Sequence, residues 1–428
     1  MAEHNRILFL QGPPSVFWPE LADAFQAQGT EVFKINFSPA DSLFWRRSGA
    51  YAYRGSFGSW KTYLGAFLTR HHITHILYYA DQLIYHRIAG QLAREMGLQA
   101  IAVENGYLRP DWITLERNGM GVYSHFPNDP SVIRAIAARA TAPDLQVRYP
   151  YSFFAEAVAE VTFHLSNVFL RPLYPFFNSD KYYHPLIDYL SWGTRSWRQW
   201  RARPRTQTTL AQIQSGDWPF FLLALQLQSD YQIRRNSHYQ HLSKMLEEVI
   251  SSFAQQASTE MRLVIKQHPH DNGMENWLAI ITSIAQRHKV DDRVILIDGG
   301  NVEDILPKAS GCVMVNSTVG LFSIRALCPT KVLGIAVFDI AGLTHQGSLD
   351  EFWTSPEPVD PVLARQLIWA MASTIQVKGS FYDPMGRKAA QAEIVHRLQN
   401  DLINAPGAFI TPPPRLEKAR NTGVPLGE

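Results

Sequence analysis

An α/β fold built as two parallel-sheet domains is predicted by three observations on this chain. Short apolar β-type runs alternate with helical patterns over the first 130 residues, and the same alternation restarts at Phe220. With 428 residues, 46% hydrophobic and 18% charged, the chain is long enough for each series to bury its own core.

In the first series, residues 7–10 read as a strand, 18–28 as a helix ending at Gly29 and 31–35 as a second strand. Residues 75–79 are another strand, 86–96 a helix ending at Gly97, and 100–103 a further strand. This βαβ order places functional loops at strand carboxyl ends. From 143 to 216 the chain turns aromatic and basic, with Trp192, Arg195, Trp197, Arg198, Trp200, Arg201, Arg203 and Arg205. Two readings stand for this stretch. It is an interfacial segment whose rings settle at headgroup depth beside anionic lipid, or an interdomain helical insert or linker whose tryptophans pack inward. The second series has strands at 220–225, 263–266, 294–297, 312–315 and 332–334, with a helix over 237–256. Terminal helices follow over 361–372 and 387–402. The expected division is 1–142, 143–216, 217–375 and 376–405, with 406–428, which carries Pro412-Pro413-Pro414, as a disordered tail.

Forty Lys+Arg against 38 Asp+Glu give a formal charge of +2, too balanced for nucleic acid to be the partner. The two cysteines, Cys312 and Cys328, form no CxxC or Cys/His cluster, which excludes a disulfide framework and a structural zinc site and fits a reducing cytoplasm. Residues 7–13 read as a first strand and its loop, not a secretory signal. No uncharged apolar stretch approaches the roughly 20 residues that span a bilayer, so any membrane contact is peripheral.

Polar residues cluster where the apolar runs end. Lys266-Gln267-His268-Pro269 follows Arg262-Leu263-Val264-Ile265. Proline restricts His268 to extended geometry, fixing an imidazole at the sheet edge where it can offset charge on a leaving phosphate, or else it simply ends the strand. Lys266 shares the face of His268, while Gln267 points the other way. Asn316-Ser317-Thr318 follows Cys312-Val313-Met314-Val315 and precedes Gly320 and a helical pattern. Such residues bind phosphate or cap a helix. Gln226, Ser229 and Asp230 leave the core strand 220–225; Asp230 is a nucleophile, a general acid/base or a helix cap, and Arg234 and Arg235 suit a carboxylate or phosphate. In the first series Glu104-Asn105-Gly106 places a carboxylate at a strand end, a candidate base for an acceptor hydroxyl, and Arg109, Asp111 and Glu116 form ion pairs or bind acceptor groups. Gln11-Gly12-Pro13 is a tight loop but no G-x-G-x-x-G, and Walker, G-x-S-x-G, H-E-x-x-H and D-x-D motifs are missing.

Taken in order, these clusters, with Asp339 to Gly347, resemble the capsule polysaccharide synthesis and export family of Gram-negative bacteria. The likeness is to its single-module β-Kdo transferases, which initiate the poly-Kdo linker of ABC-transporter-dependent capsules. It spans residues 6–355. It implies a GT-B-like glycosyltransferase, two Rossmann-like domains with an interdomain cleft, the first binding acceptor and the second the CMP-sugar. The implied reaction transfers Kdo from CMP-Kdo to a lysophosphatidylglycerol-type phospholipid with retention. In that family a His-Pro motif and a Ser/Thr motif hold CMP, which map to His268-Pro269 and Ser317-Thr318. Relatives commonly carry two acidic residues before the glycine; Asn105 departs, so the carboxylate role falls on Glu104 alone. Asp230 matches the nucleophile of a double displacement.

The expected catalytic set is therefore Asp230, Glu104 and His268. Lys266, His268, Pro269, Asn316, Ser317, Thr318, Gln226 and Arg234 are expected at the donor, and Gly106 and Arg109 at the acceptor or sugar carboxylate. No metal and no cofactor are expected beyond CMP-Kdo as donor substrate. The expected partners are a phospholipid acceptor, the inner face of the inner membrane, the capsule ABC transporter and other capsule transferases. A transferase using another CMP-sugar or a later Kdo acceptor, and a non-catalytic capsule-export scaffold, are the alternatives.

Overall fold

The computed structural model describes residues 5–150 and 152–426. Among them the chain forms two compact units, one running through Pro127 and taking in Ala140–Lys181 and Trp369–Pro414, the other comprising Asn128–Arg139, Tyr182–Ile368 and the segment from Arg415.

The first unit contains β1 (Arg6–Phe9), β2 (Glu31–Asn36), β3 (Tyr51–Ala52), β4 (His75–Tyr79), β5 (Gln99–Asn105) and β6 (Trp112–Arg117). The second contains β7 (Phe220–Ala224), β8 (Arg262–Lys266), β9 (Val294–Ile297), β10 (Gly311–Met314) and β11 (Thr330–Val332), and β12 (Gln376–Lys378) returns to the first. The first sheet is ordered β3-β2-β1-β4-β5-β6-β12, parallel except for β6 and β12, which are antiparallel to their neighbours. The second is β9-β8-β7-β10-β11, parallel throughout. Both therefore wind outward from their first strand in opposite directions, and the order reverses between β1 and β4 in one and between β7 and β10 in the other. Such reversals open ligand crevices at strand carboxyl ends.

Period-two alternation explains why the strands are apolar on both faces. Ile7, Phe9, Leu77, Ile101 and Val103 meet Phe17, Leu21, Phe25 and Ile394 on one side. Leu8, Leu10, Ile76, Tyr78, Ala100 and Ala102 meet Leu64, Phe67, Ala89 and Leu92 on the other. In the second unit Phe221, Leu223, Leu263, Ile265 and Val313 pack on Leu242, Leu246, Val249, Ile250 and Trp277.

Three expectations are corrected. The stretch 143–216 is not one insert. Its helix Phe153–Phe169 joins the first unit, with Phe163 against Phe44 and the Ala40 amide donating to Asn167 at 3.1 Å. Its helix Pro185–Ser215 joins the second, burying Arg195, Thr206, Thr209 and Ile213. The helix expected over 237–256 is two helices, Tyr231–Asn236 and Leu242–Gln256, because extended Ser237 breaks the run and the Gln228 side chain holds the 240–242 turn from both sides. The tail from 406 is ordered through the described residues. Buried Arg415 donates to the carbonyls of Ala336 and Val337, and Leu416–Asn421 is helical. The terminal helix expected over 387–402 is Pro384–Gln399, which pairs Arg387 with Glu20, and β12 before it extends the first sheet.

Candidate functional site

The second unit's crevice is built on register. Ala224 pairs with Lys266 and Leu223 with Val313, so two and three residues further on Gln226 stands level with both His268 and Asn316. With strands about 4.8 Å apart, these residues form one row across the carboxyl edge, roughly 10 Å from His268 to Asn316. Gln226 and Asn316 lock the row: the Gln226 amide donates to Asn316 Oδ1 at 2.9 Å, and the Asn316 backbone N–H donates to Gln226 Oε1 at 3.0 Å. Asn316 Nδ2 donates to the Gln232 carbonyl at 3.0 Å, tying the row to the short helix after β7.

Asp230 is the N-cap of that helix, its Oδ1 accepting from the Gln232 amide at 2.8 Å. The cap fixes the direction of the carboxylate at the crevice mouth. Arg234, on the same helix, lies 5.5 Å from the centre of the Tyr182 ring, and the buried Nε atoms of Arg234 and Arg235 have no hydrogen-bond partner. After β10, the Ser317 hydroxyl accepts from the Val319 amide at 3.2 Å, and Thr318 begins the helix Val319–Arg325 without a side-chain cap. Gly320, read above as favouring a phosphate loop, has a packing reason instead: a Cβ there would run into the Phe338 ring.

The His268 turn is braced from beneath. The His270 amide donates to His268 Nδ1 at 3.1 Å, so the neutral ring carries its proton on Nε2. Pro269 is exposed. Buried Asp271 accepts from the Gly273 amide and from Trp277 Nε1, each at 2.8 Å. Arg195 donates from Nε to the Asp271 carbonyl at 3.0 Å and grips Asp298 with both terminal nitrogens. Lys266 is buried; burial lowers its pKa against the opposing charge of Asp298. It therefore sits beside the Arg195–Asp298 pair, which gives it a supporting role under the turn in addition to the donor role expected of it.

In the first unit Glu104 is the penultimate residue of β5, half-buried. Gly106 lies where β5 closes on β6: its amide donates to the Trp112 carbonyl at 2.8 Å and a Cβ would strike the Trp112 backbone. Packing thus accounts for Gly106. Tyr79, on the neighbouring strand, accepts from Asn105 Nδ2 at 3.3 Å. Burial pushes its phenol well above the usual range, and the carboxylates of Glu104, Glu160 and Glu156 push it the same way, with exposed Arg109 opposing. Tyr79 therefore stays an O–H donor next to Glu104. Asp111 and Glu116 are structural: Lys378 pairs with Asp111 at 2.8 Å, and Glu116 accepts from Tyr107 at 3.3 Å and from Ser124.

The sequence reading missed Tyr79, Glu156, Glu160 and Lys34. Glu156 and Glu160 are four apart on one helix face, a spacing visible in the sequence, but their effect on Tyr79 depends on where the helix docks. Lys34 is buried at the β2 end, donating to the carbonyls of Leu10 and Ile35, and burial lowers its pKa to about 8. The Asp339–Gly347 cluster is a self-bonded loop: Thr344 donates to Asp339 at 2.6 Å, and buried His345 bonds the Ser348 carbonyl at 3.1 Å. Among the described residues no group of three or more His, Cys, Asp or Glu is placed to hold a metal.

Two parallel-sheet units with polar carboxyl edges define a doubly wound α/β protein; the sequence comparisons narrow the class. Residues 74–382 match the model of the capsule polysaccharide biosynthesis protein family, and the chain belongs to that family. It is 28% identical over 379 residues to the capsule polysaccharide export protein KpsS of Escherichia coli, covering 88% of this chain and 97% of that one. It is 29% identical over 390 residues to the capsule polysaccharide modification protein LipB of Neisseria meningitidis serogroup B, covering 88% and 92%. Among solved structures, the β-Kdo 2,7 transferase KpsC of Thermosulfurimonas dismutans covers 92% of this chain and 98% of its own at 14% identity, with a TM-score of 0.41, too low to carry an inference. No helix among the described residues is long and apolar enough to cross a membrane.

Proposed function

We propose that the chain is a retaining β-Kdo glycosyltransferase of GT-B type that moves Kdo from CMP-Kdo to a lysophosphatidylglycerol-type lipid at the inner face of the inner membrane, in capsular polysaccharide biosynthesis and export. The observation that carries the reading is the row of His268, Gln226 and Asn316 at the strand-order reversal of a parallel sheet, with Asp230 oriented at its mouth.

The Asp230 carboxylate attacks the anomeric carbon as its bond to the phosphate oxygen breaks, releasing CMP and leaving Kdo on Asp230. Glu104 then takes the proton of the acceptor hydroxyl, whose oxygen displaces Asp230; two inversions give net retention. His268 donates from Nε2 to the departing phosphate, with Pro269 holding the turn. Gln226, Asn316, Ser317 and Thr318 hold the rest of CMP, Arg234 and Lys266 balance its charge and that of the Kdo carboxylate, and Gly106 and Arg109 border the acceptor. The reaction uses no metal or cofactor, because CMP is a good leaving group once its phosphate is held. The capsule ABC transporter and the other capsule transferases are its partners.

The rival reading, favoured by the name "export protein" of the Escherichia coli relative, is a non-catalytic scaffold. Calorimetry separates them. The transferase reading expects CMP to bind, to be competed by CMP-Kdo more strongly than by a CMP-sialic acid, and to bind at least about tenfold more weakly after Asn316→Ala, which removes the lock on Gln226. Absence of CMP binding favours the scaffold; stronger competition by the sialic acid donor points to a different CMP-sugar.

A further inference from the structure

We propose that the outer face of the helix Pro185–Ser215 is a docking surface for an anionic phospholipid bilayer. Five large apolar side chains on it are exposed, Ile187 at 53% and, in one row, Leu186 at 38%, Leu190 at 80%, Trp197 at 56% and Trp200 at 66%. The row's spacings of four, seven and three residues put its members on one stripe of an α-helix. The buried residues of the same helix, Arg195, Thr206, Thr209 and Ile213, fall on the opposite side. The helix is thus packed along one face and unpartnered along the other.

Charge on the helix selects the occupant. It carries five arginines and one carboxylate, Asp188, which accepts from Asn272 at 2.7 Å. Arg195 is neutralised by Asp298, whereas Arg198, Arg201, Arg203 and Arg205 are all exposed. Arg201 stacks on Trp197 with its guanidinium 4.8 Å from the ring centre, which holds a cation at the depth of an aromatic ring. Tryptophan beside arginine on an apolar stripe fits the headgroup layer of an anionic bilayer, where rings sit at the interface and cations meet phosphate. A second copy of this chain would bring the same four arginines together and repel itself.

The inner side of the helix gives the docking a consequence. Arg195 and Arg198 donate to the carbonyls of Asp271 and Gly273, at 3.0 and 2.9 Å, in the turn that follows His268. A bilayer on the outer face therefore lies about one helix diameter, ~10 Å, from the braced donor edge. This deepens the lipid-acceptor reading above, but its test contains no sugar donor, so the two fail separately.

The test is flotation of the full chain with vesicles of phosphatidylglycerol mixed with phosphatidylcholine, against vesicles of phosphatidylcholine alone. The expected result is binding to the mixed vesicles that weakens with salt, with a blue shift of tryptophan emission, and little binding to phosphatidylcholine. Trp197→Ser with Trp200→Ser, and separately Arg201→Glu with Arg203→Glu, are each expected to weaken binding by about tenfold or more at unchanged melting temperature. No binding to the mixed vesicles, equal binding to both kinds, or binding insensitive to both double variants overturns the proposal. So does a concentration-dependent dimer that the tryptophan variant dissolves while flotation is unchanged.

Discussion

Asp230 has a defined place in the fold that is compatible with the chemistry proposed for it. Its Oδ1 caps the helix Tyr231–Asn236, and the same bond aims the carboxylate along the edge where Gln226 and Asn316 interlock. The cap and nucleophile readings of the sequence are therefore not exclusive. Asn caps as well as Asp but is no nucleophile, so Asp230→Asn separates the roles: melting is expected within about 0.5 kcal/mol of the natural protein, and turnover to fall roughly a thousandfold or more. The strand-end positions of Glu104, His268 and Asn316 were legible because each closes or follows an apolar run. Gly106 and Gly320 also have packing reasons the sequence did not show, because what a Cβ would meet there comes from Trp112 and Phe338, and only the folded backbone shows it. Buried His86 makes a further prediction. Burial lowers its pKa to about 4, against a bond to the Ala80 carbonyl that raises it. A histidine held neutral contributes stability that is complete above its unfolded pKa of about 6.5 and is lost as pH falls through about 4, some 3 kcal/mol in all. Chemical unfolding of His86→Leu across that window is expected to show a shallower loss than the natural protein; parallel curves would remove His86 from the acid response.

At the scale of elements, the helix Pro185–Ser215 is the least legible and the most consequential. Its sequence offers arginines and tryptophans in mixed order, and only docking shows that Arg195 turns inward while Trp197 and Trp200 turn out. One face of the helix packs inward, through Arg195 and not through its tryptophans, and the other lies bare. The Arg195–Asp298 pair is nearly fully buried, with side-chain exposures of 4% and 8%. Removing one partner strands the other, so Arg195→Ala is expected to cost about 3–5 kcal/mol and to loosen the His268 turn, while Arg195→Leu with Asp298→Leu recovers most of the stability. Thermal melts of the three proteins check this; a double variant as unstable as the single one would mean that the pair does more than neutralise its own charges. The strands were more readable than the helices, since buried parallel strands are apolar throughout, whereas β6 and β12 depend on antiparallel pairings distant in sequence.

At the scale of the molecule, the sequence announced a repeated α/β pattern, and the sheets show that the repeat extends to strand order: β3-β2-β1-β4-β5 and β9-β8-β7-β10-β11 are the same winding. Each unit therefore has its reversal at the same place, with Gln11 and Gly12 following one first strand and Gln226 the other. What the pattern did not reveal is the path of the chain after residue 368, which returns to the first unit and adds β12 to its sheet. Short linkers and apolar runs carry no record of such a return. The central claim is that this family member transfers Kdo, and the most direct measurement is made on purified protein given CMP-Kdo and lysophosphatidylglycerol, with CMP release and the lipid product followed together by mass spectrometry. The account predicts equal yields of CMP and a β-linked Kdo-lipid, both lost in Asp230→Asn; a natural protein that forms no Kdo-lipid under these conditions would contradict it.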